Sequence, residues 1–306
     1  MRKSIVAALL CAFAVCSRAD DVIRVGLVQM NARLYDKDYN LAEAERGIRR
    51  AAALGAQIVC TPEVAVQGYP RVSLSQGTSP EDPGIVAQRA RILAAAEPIP
   101  GPATDRFARL AKELGVWIIF GMDENRGGKL FNSAVLVSPR GEIKGVYSKV
   151  HLQNWMTASG VNNGSEFPVW EIEIGKVRTK IGIVICYDIQ VPESAREVAL
   201  GGAEILFVPY CTDDFSRPLL VHLFETRALE NRVYLARVNF ARPRNTGTSS
   251  IIDYEGATLK QLGSAPGVLV RDMDLTTLRK TRADWEEVYG DRYRQPATYR
   301  RIPATH

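Results

Sequence analysis

The chain alternates short runs rich in Val and Ile with longer stretches in which apolar residues recur at helical spacing. Residues 22–29 form the first predicted strand, and residues 41–54 form the first predicted helix, which ends at Gly55. A succession of strand, helix and strand favours an α/β domain. Further strands are predicted at 56–61, 116–121, 181–186, 205–209, 233–239 and 249–253, and further helices at 85–96, 104–114, 192–200 and 218–231.

Residues 130–152 depart from this alternation. Two short strands joined at Pro139-Arg140-Gly141 predict a hairpin, so the sheets should contain antiparallel as well as parallel pairs. No internal repeat, low-complexity segment or long linker divides the chain. We therefore expect one domain over residues 20–275. Residues 276–306 should form a C-terminal arm, a helix plus an irregular tail, that packs on the domain or contacts another subunit.

The first 19 residues have the pattern of a secretory signal. A basic start at Met1-Arg2-Lys3 precedes an apolar run at 5–15, and small residues precede a cleavage point between Ala19 and Asp20. The run is too short to span a bilayer. The alternatives are a buried N-terminal helix and a lipid anchor on Cys16. We expect an exported protein, periplasmic or secreted, with no stable membrane anchor.

Composition and charge narrow the class of protein. Of 306 residues, 46% are hydrophobic and 24% are charged, which is typical of a globular protein and excludes wholesale disorder. The formal net charge is +5, and three of the basic residues lie in the predicted signal. The mature chain is too balanced in charge to favour nucleic acid or an anionic membrane as its main partner.

The cysteines provide neither a disulfide framework nor a metal site. Cys11 and Cys16 leave with the predicted signal, and the other three are Cys60, Cys186 and Cys211. An odd number leaves at least one thiol free. The sequence has no CxxC spacing and no cluster of Cys and His, so we expect no bound metal and no cofactor.

Three reactive side chains stand at or just beyond the ends of predicted strands, where sites form in open α/β sheets. They are Glu63, Lys149 and Cys186. Each alone is ordinarily a turn residue, a surface charge or a small core residue. Together they supply a proton acceptor, a cation and a nucleophile, which is what cysteine catalysis requires.

Residues 22–275 resemble the nitrilase superfamily, the carbon–nitrogen hydrolases, because several of its landmarks occur in order. They include Cys60-Thr61-Pro62-Glu63, Tyr147-Ser148-Lys149-Val150-His151-Leu152, Gly164-Ser165-Glu166-Phe167-Pro168, Ile185-Cys186-Tyr187-Asp188 and Arg227-Ala228-Leu229-Glu230-Asn231. The resemblance implies a four-layer α-β-β-α sandwich with mixed sheets. It also implies a homodimer or higher oligomer.

The resemblance assigns a role to each site residue. Glu63 is the general base, Cys186 attacks the substrate carbon, and Lys149 and the backbone N–H of Tyr187 hold the oxyanion. The implied reaction is hydrolysis of a small linear amide or N-carbamoyl amine through a thioester, with release of ammonia. Nitrile hydrolysis by the same site, acyl transfer to an amine, and a non-catalytic binding protein of the same fold are the alternatives.

One departure from the family concerns the loop at 153–163. Many members carry a second glutamate there, and this loop has no acidic residue. Glu166 is the nearest carboxylate, but it belongs to a separate landmark. Two expectations follow. Either a residue from another part of the chain takes the place of that glutamate, or the amidase activity is weak or altered relative to the family.

The sequence leaves the substrate open. Asp213 would suit a cationic substrate tail, whereas Arg217 would suit a carboxylate. The loops at 73–100, 153–163 and 210–217 are where specificity is expected to reside. His151 and His222 are expected to make structural hydrogen bonds.

Overall fold

The computed structural model describes residues 21–70, 79–212, 220–243, 245–289 and 298. Within them the backbone forms two six-stranded sheets, ordered β12-β1-β2-β3-β4-β5 and β11-β10-β9-β8-β7-β6. The strands are β1 (Val22–Gln29), β2 (Ile58–Cys60), β3 (Trp117–Arg126), β4 (Lys129–Val137), β5 (Ile143–Ser148), β6 (Val169–Ile174), β7 (Val177–Ile183), β8 (Ile205–Pro209), β9 (Tyr234–Val238), β10 (Ser250–Ile252), β11 (Thr258–Gln261) and β12 (Gly267–Asp274).

Local sequence signals account for the helix ends. The carboxylate of Asp36 accepts a hydrogen bond from Tyr39 N and begins the first helix. Gly115 adopts a left-handed conformation (φ 66°) and ends the third helix, which the sequence predicts to stop at residue 114. The helices are α1 (Lys37–Ala53), α2 (Pro83–Ala95), α3 (Pro102–Leu114), α4 (Asn154–Ala158), α5 (Pro192–Leu200), α6 (Leu220–Asn231) and α7 (Leu275–Tyr289).

The two sheets pack face to face, with helices outside them. One apolar cluster joins the inner faces of both sheets to α5 and α6, and a second joins α1 and α3 to the outer face of the first sheet. In each sheet the central strands are parallel and the flanking ones are antiparallel. The four-layer α-β-β-α sandwich with mixed sheets is thereby confirmed.

Two predicted strand ends were wrong. The predicted strand at 181–186 stops at Ile183, and Cys186 instead begins a 3₁₀ turn, Cys186–Gln190. The turn forms because the side chain of Asp188 accepts a hydrogen bond from Ile185 N (2.9 Å). The strand predicted at 116–121 continues to Arg126 through polar residues that the sequence pattern did not indicate as a strand.

Helix α7 packs on the domain. Leu275 and Leu278 are fully buried, and Arg279 forms an ion pair with Glu204 (2.6 Å). Arg282 donates hydrogen bonds to the carbonyls of Ala203 and Arg232. The tail after α7 lies outside the described residues apart from residue 298, as does the predicted signal at 1–19.

Across the described ranges, no helix combines the length and apolar character that a membrane span needs.

Candidate active site

Glu63 lies in the loop after β2, at the centre of the first sheet. Its side chain is excluded from solvent. Oε1 accepts hydrogen bonds from Lys149 Nζ and Asn132 Nδ2, each at 2.7 Å. Oε2 is buried and has no partner among the described residues. One carboxylate oxygen is therefore fixed by two donors, and the other is free to accept a proton.

Lys149 immediately follows β5, as the sequence predicts. Its backbone N–H donates to the carbonyl of Asn132, and its own carbonyl accepts from Gly164 N. Gly164 is required by this approach, because a Cβ there would lie 2.0 Å from the carbonyl oxygen of Ser148. The ammonium is fully buried and paired with Glu63. An ammonium carries three donors, so two remain beyond the single bond that Nζ makes within the described residues.

Cys186 comes from the second sheet, beyond the end of β7. Its backbone has φ 48°, a left-handed conformation that is strained for a residue with a side chain. The thiol is buried, and its Sγ lies 3.9 Å from the carbonyl oxygen of Cys211. Cys60, Cys186 and Cys211 are all free thiols.

Electrostatic interactions join the three side chains. Burial raises the pKa of Cys186, the charge of Glu63 raises it further, and Lys149 opposes both. Burial alone would lower the pKa of Lys149, but negative charge nearby, that of Glu63 above all, outweighs it, and the pKa is raised. The resting site therefore holds a charged lysine and a neutral thiol, so the thiol needs a base to remove its proton.

Asp188 joins the cysteine turn to the strand that carries the lysine. Its buried carboxylate accepts from Tyr147 OH (2.6 Å), Ile185 N (2.9 Å) and His151 N (2.7 Å). The Nδ1 atom of His151 lies 3.1 Å from the same carboxylate. A single side chain thus fixes the position of the Cys186 turn relative to Lys149.

The backbone N–H of Tyr187 is the predicted second donor to an oxyanion. Tyr187 lies in the 3₁₀ turn directly after Cys186. The structure gives this N–H no acceptor in the described part of the chain. A free donor next to a nucleophile suits charge that develops on the attacked carbonyl.

The loop that lacks the second glutamate carries an amide instead. Gln153 Oε1 accepts from Tyr69 OH (3.1 Å) and Trp155 Nε1 (2.9 Å). The rings of Tyr69 and Trp155 meet edge to face at 5.4 Å. Tyr69 is within electrostatic range of Glu63, whose charge raises the pKa of Tyr69 in addition to the larger effect of burial. These aromatic side chains therefore border the site.

Other sequence predictions lie away from the site or outside the described residues. Asp213 and Arg217, the predicted contacts for a charged substrate tail, lie outside the described residues. Glu166 is exposed and is not part of the buried cluster. His151 bonds Asp188 and lies 3.2 Å from Ser194 Oγ, and His222 pairs with Glu225, as expected of structural histidines.

Sequence reasoning missed two polar residues beside Glu63. Asn132 lies on β4, and Asp123 lies opposite it on β3. Both are buried, and burial raises the pKa of Asp123 to about 8, with a further contribution from the charge of Glu63. The sequence held one signal for Asp123: it continues the every-second-residue pattern of Ile119 and Gly121, whose side of the strand faces the core. The polar residues that follow it resembled a loop and hid this pattern.

Metal ligation finds no support in the described residues, where no three His, Cys, Asp or Glu side chains are grouped to hold an ion.

Several proteins of known family resemble this chain over most of its length. A nitrilase of Pyrococcus abyssi is 32% identical over 278 residues, which cover 89% of this chain and 97% of that protein. An omega-amidase of Xenopus tropicalis is 31% identical and covers 80% of this chain and 87% of its own length.

Among solved structures, the amidase from Nesterenkonia sp. AN1 is similar. One mutant of it bears the acetamide moiety of fluoroacetamide on its active-site cysteine. This structure is 26% identical and matches with a TM-score of 0.69, covering 89% of this chain and 98% of its own. Another mutant, in complex with butyramide, is 25% identical and has a TM-score of 0.67, covering 87% and 97%.

The carbon-nitrogen hydrolase family model matches residues 24–283. This match confirms the superfamily and the enzyme class predicted from the sequence, hydrolases acting on carbon–nitrogen bonds other than peptide bonds. The chain belongs to the carbon-nitrogen hydrolase family.

Proposed function

We propose that this enzyme hydrolyses a small linear amide or N-carbamoyl amine through a thioester on Cys186, releasing ammonia. The observation that carries the proposal is the buried set of Glu63, Lys149 and Cys186. It combines a free carboxylate oxygen, a charged ammonium and a thiol that is neutral at rest.

The acylation half of the reaction follows from these contacts. Glu63 Oε2 takes the proton of Cys186 as the sulfur bonds to the substrate carbonyl carbon. Lys149 Nζ and Tyr187 N–H donate to the oxygen that becomes negative. The intermediate then collapses, the carbon–nitrogen bond breaks, and the proton on Glu63 passes to the departing nitrogen as ammonia leaves.

The second half regenerates the enzyme. Glu63, again ionised, takes a proton from water as its oxygen attacks the thioester carbon. The carbon–sulfur bond breaks, the proton returns to the sulfur, and the acid product leaves. The ion pair with Lys149 and the bond from Asn132 keep Oε1 fixed during both halves, so Oε2 carries every proton.

The first experiment is ammonia release by the purified protein across a panel of linear amides, N-carbamoyl amines and nitriles. Cys186→Ala should reduce release to the background, and mass spectrometry of the parent should detect an acyl adduct on the Cys186 peptide. Folding should persist, since the change removes a single sulfur atom and leaves only a small cavity. Release that persists in Cys186→Ala would contradict the proposal.

Two further measurements separate the alternative activities. Added hydroxylamine should divert the thioester to a hydroxamate, and a product mixture dominated by transfer to amines would favour an acyltransferase. If no compound in the panel releases ammonia, although the protein is folded and Cys186 is reduced, the binding-protein alternative would be favoured.

Nitrile hydrolysis is the second candidate, because the Pyrococcus abyssi relative bears the name nitrilase. The same thiol would add to the nitrile carbon, and water would convert the adduct to the thioester and ammonia. Within the panel, a nitrile that is turned over faster than its matching amide would favour this candidate.

We also propose that residues 1–19 direct export and are removed. The support is the basic start, the apolar run and the small residues before Asp20. Intact-mass analysis of protein recovered from the exporting host should show a chain that begins at Asp20. A recovered chain that keeps Met1, or one with a lipid on Cys16, would contradict cleavage at this point.

A further inference from the structure

Asp123 is a buried acid on β3 to which neither the family roles nor the mechanism above gives a part. It is 4% exposed. Its backbone is fixed at both ends, because its N–H donates to Gln67 Oε1 (2.9 Å) and its carbonyl accepts from Gln67 Nε2 (3.2 Å). Side chains alternate along a strand, so Asp123 shares a face with Gly121, which packs against the backbone of Glu63. Its carboxyl therefore lies on the face of the sheet that carries the site.

Asn132 on β4 is the residue directly opposite Asp123 in the register. Opposite residues of an antiparallel pair have Cβ atoms about 4.5–5.5 Å apart. Asn132 Oδ1 and Asp123 Oδ2 are both buried, and neither has a hydrogen-bond partner among the described residues. Two unpaired buried acceptors on facing side chains are costly, and one shared proton satisfies both.

The orientation of the Asn132 amide matters to the base. Its Nδ2 donates to Glu63 Oε1 at 2.7 Å. The reversed amide would place Oδ1 against a carboxylate oxygen, which is repulsive. A donor on the far side of Asn132 would fix the productive orientation, and Asp123 is the side chain placed to supply it.

We propose that Asp123 is a positioning residue, whose carboxyl donates a hydrogen bond to Asn132 Oδ1 and keeps the Asn132 amide directed at Glu63. Glu63 Oε1 then stays occupied by Asn132 and Lys149, and Oε2 stays free for the Cys186 proton. This inference rests on the proposed function, because it assigns Glu63 as the base.

The protonation of Asp123 agrees with this role. Its pKa of about 8, set first by burial and then by Glu63, leaves the carboxyl protonated at neutral pH. Ionisation at higher pH would remove the donor and add a second negative charge near Glu63. The titratable groups nearby are Glu63 and Tyr69 on the loop after β2, Glu97 paired with Lys37, and Glu124 paired with Arg126.

Two variants of nearly equal size test the proposal. Asp123→Asn keeps a donor for Asn132 Oδ1, and its kcat at neutral pH should stay within about threefold of the parent. Asp123→Leu has no donor, and its kcat should fall by about tenfold or more with little change in KM, since one buried hydrogen bond is lost. Asp105→Asn, on the exposed face of α3, serves as the control for the same exchange away from the site.

The pH profile supplies a readout that a purely structural role would not move. In the parent, kcat should decline as the pH rises through about 8, and Asp123→Asn should lack that decline. Alkylation of Cys186 by iodoacetamide speeds up as the thiol ionises, so the readout is the ratio of the parental rate to the rate of Asp123→Asn, which should fall across the same pH range. Because alkylation needs no substrate, it tests the positioning of Glu63 even if no substrate in the panel is turned over.

Three results would overturn the proposal. They are an Asp123→Asn variant as impaired as Asp123→Leu, an Asp123→Leu variant at the parental rate, and an alkaline decline that persists unchanged in Asp123→Asn. The third result remains decisive even if Asp123→Leu fails to fold, since Asp123→Asn preserves the size and polarity of the side chain.

Discussion

Lys149 Nζ and Glu63 Oε1 form an ion pair of 2.7 Å in which both side chains are fully excluded from solvent. Burial of two charges is costly, and the pair offsets that cost only while both members are present. The pair therefore connects the stability of the fold to its chemistry.

Breaking this pair from one side should destabilise the protein strongly. Lys149→Met leaves the Glu63 carboxylate buried without its cation, and the free energy of unfolding should fall by about 3–5 kcal/mol. Urea denaturation measures the change. Adding Glu63→Gln to Lys149→Met removes the orphaned charge and should recover most of the loss, while both variants remain inactive. A double variant no more stable than Lys149→Met would show that the charge is not the cause.

The close packing of Gly121 against the Glu63 loop predicts a second effect. A Cβ at this position would lie 2.5 Å from Val64 N and 2.6 Å from the carbonyl oxygen of Pro62. Both are backbone atoms, so Gly121→Ala must displace the loop that carries Glu63. We expect kcat to fall by about a hundredfold, because misplacement by about 1 Å has that cost.

Gly263→Ala is the matched control for this prediction. Apart from its two chain neighbours, no described residue has an atom within 4 Å of a Cβ at Gly263, so the added methyl group meets none of them. In steady-state kinetics, the kcat of Gly121→Ala should be about a hundredfold lower than that of Gly263→Ala. Equal activity of Gly121→Ala and Gly263→Ala would mean that the loop tolerates displacement.

The carboxylate of Asp188 should be needed for the geometry of the site. Asp188→Asn replaces one acceptor oxygen with a donor. Either Tyr147 OH and Ile185 N, which share Oδ2, or the backbone N–H of His151, which donates to Oδ1, then lose their acceptor. We expect a loss of stability of about 1–3 kcal/mol and a fall in kcat of about tenfold or more. Tyr147→Phe removes only one of these bonds and should be milder in both measurements. A harmless Asp188→Asn would contradict the role of this carboxylate.

The buried acid on β3 predicts a dependence of stability on pH. The pKa of Asp123 is about 8 in the folded protein, against a usual value of 3.8. Between these values the folded state keeps the proton that the unfolded state has lost, so stability decreases as the pH rises across this window. The side chain in Asp123→Asn does not ionise, so this variant lacks that dependence of stability on pH.

The measurement is the melting temperature of both proteins at pH 5 and pH 8. Asp123→Asn should gain stability relative to the parent as the pH rises. A difference between the two proteins that is the same at both values would contradict the raised pKa.

The sequence predicted the fold class because its signals are local. The apolar runs at β1 and β8 and the glycine after α3 each specify their element without distant contacts. Glu63, Lys149 and Cys186 were identified through motifs, and the structure brings them together.

The remaining errors come from contacts of polar side chains that the hydrophobic pattern does not show. Cys186 ends an apolar run that resembles a strand, but the chain turns earlier because Asp188 binds Ile185 N and groups on β5. Asp123 and Asn132 carry no motif, and only the register of β3 with β4 makes them neighbours. Polar residues on a buried strand are recognisable only when their partners are known.

The pairing of β1 with β12 means that the first sheet is completed by the last strand in the described part of the chain. The first sheet begins at Val22 and is completed by the strand that ends at Asp274, and these two strands pair along their whole length. A chain still emerging from the ribosome therefore presents β1 with one edge open until residues 267–274 have been made. The sheet that carries Glu63 and Lys149 is complete only when that strand is present, so a chain truncated before residue 267 would lack the outer partner of β1.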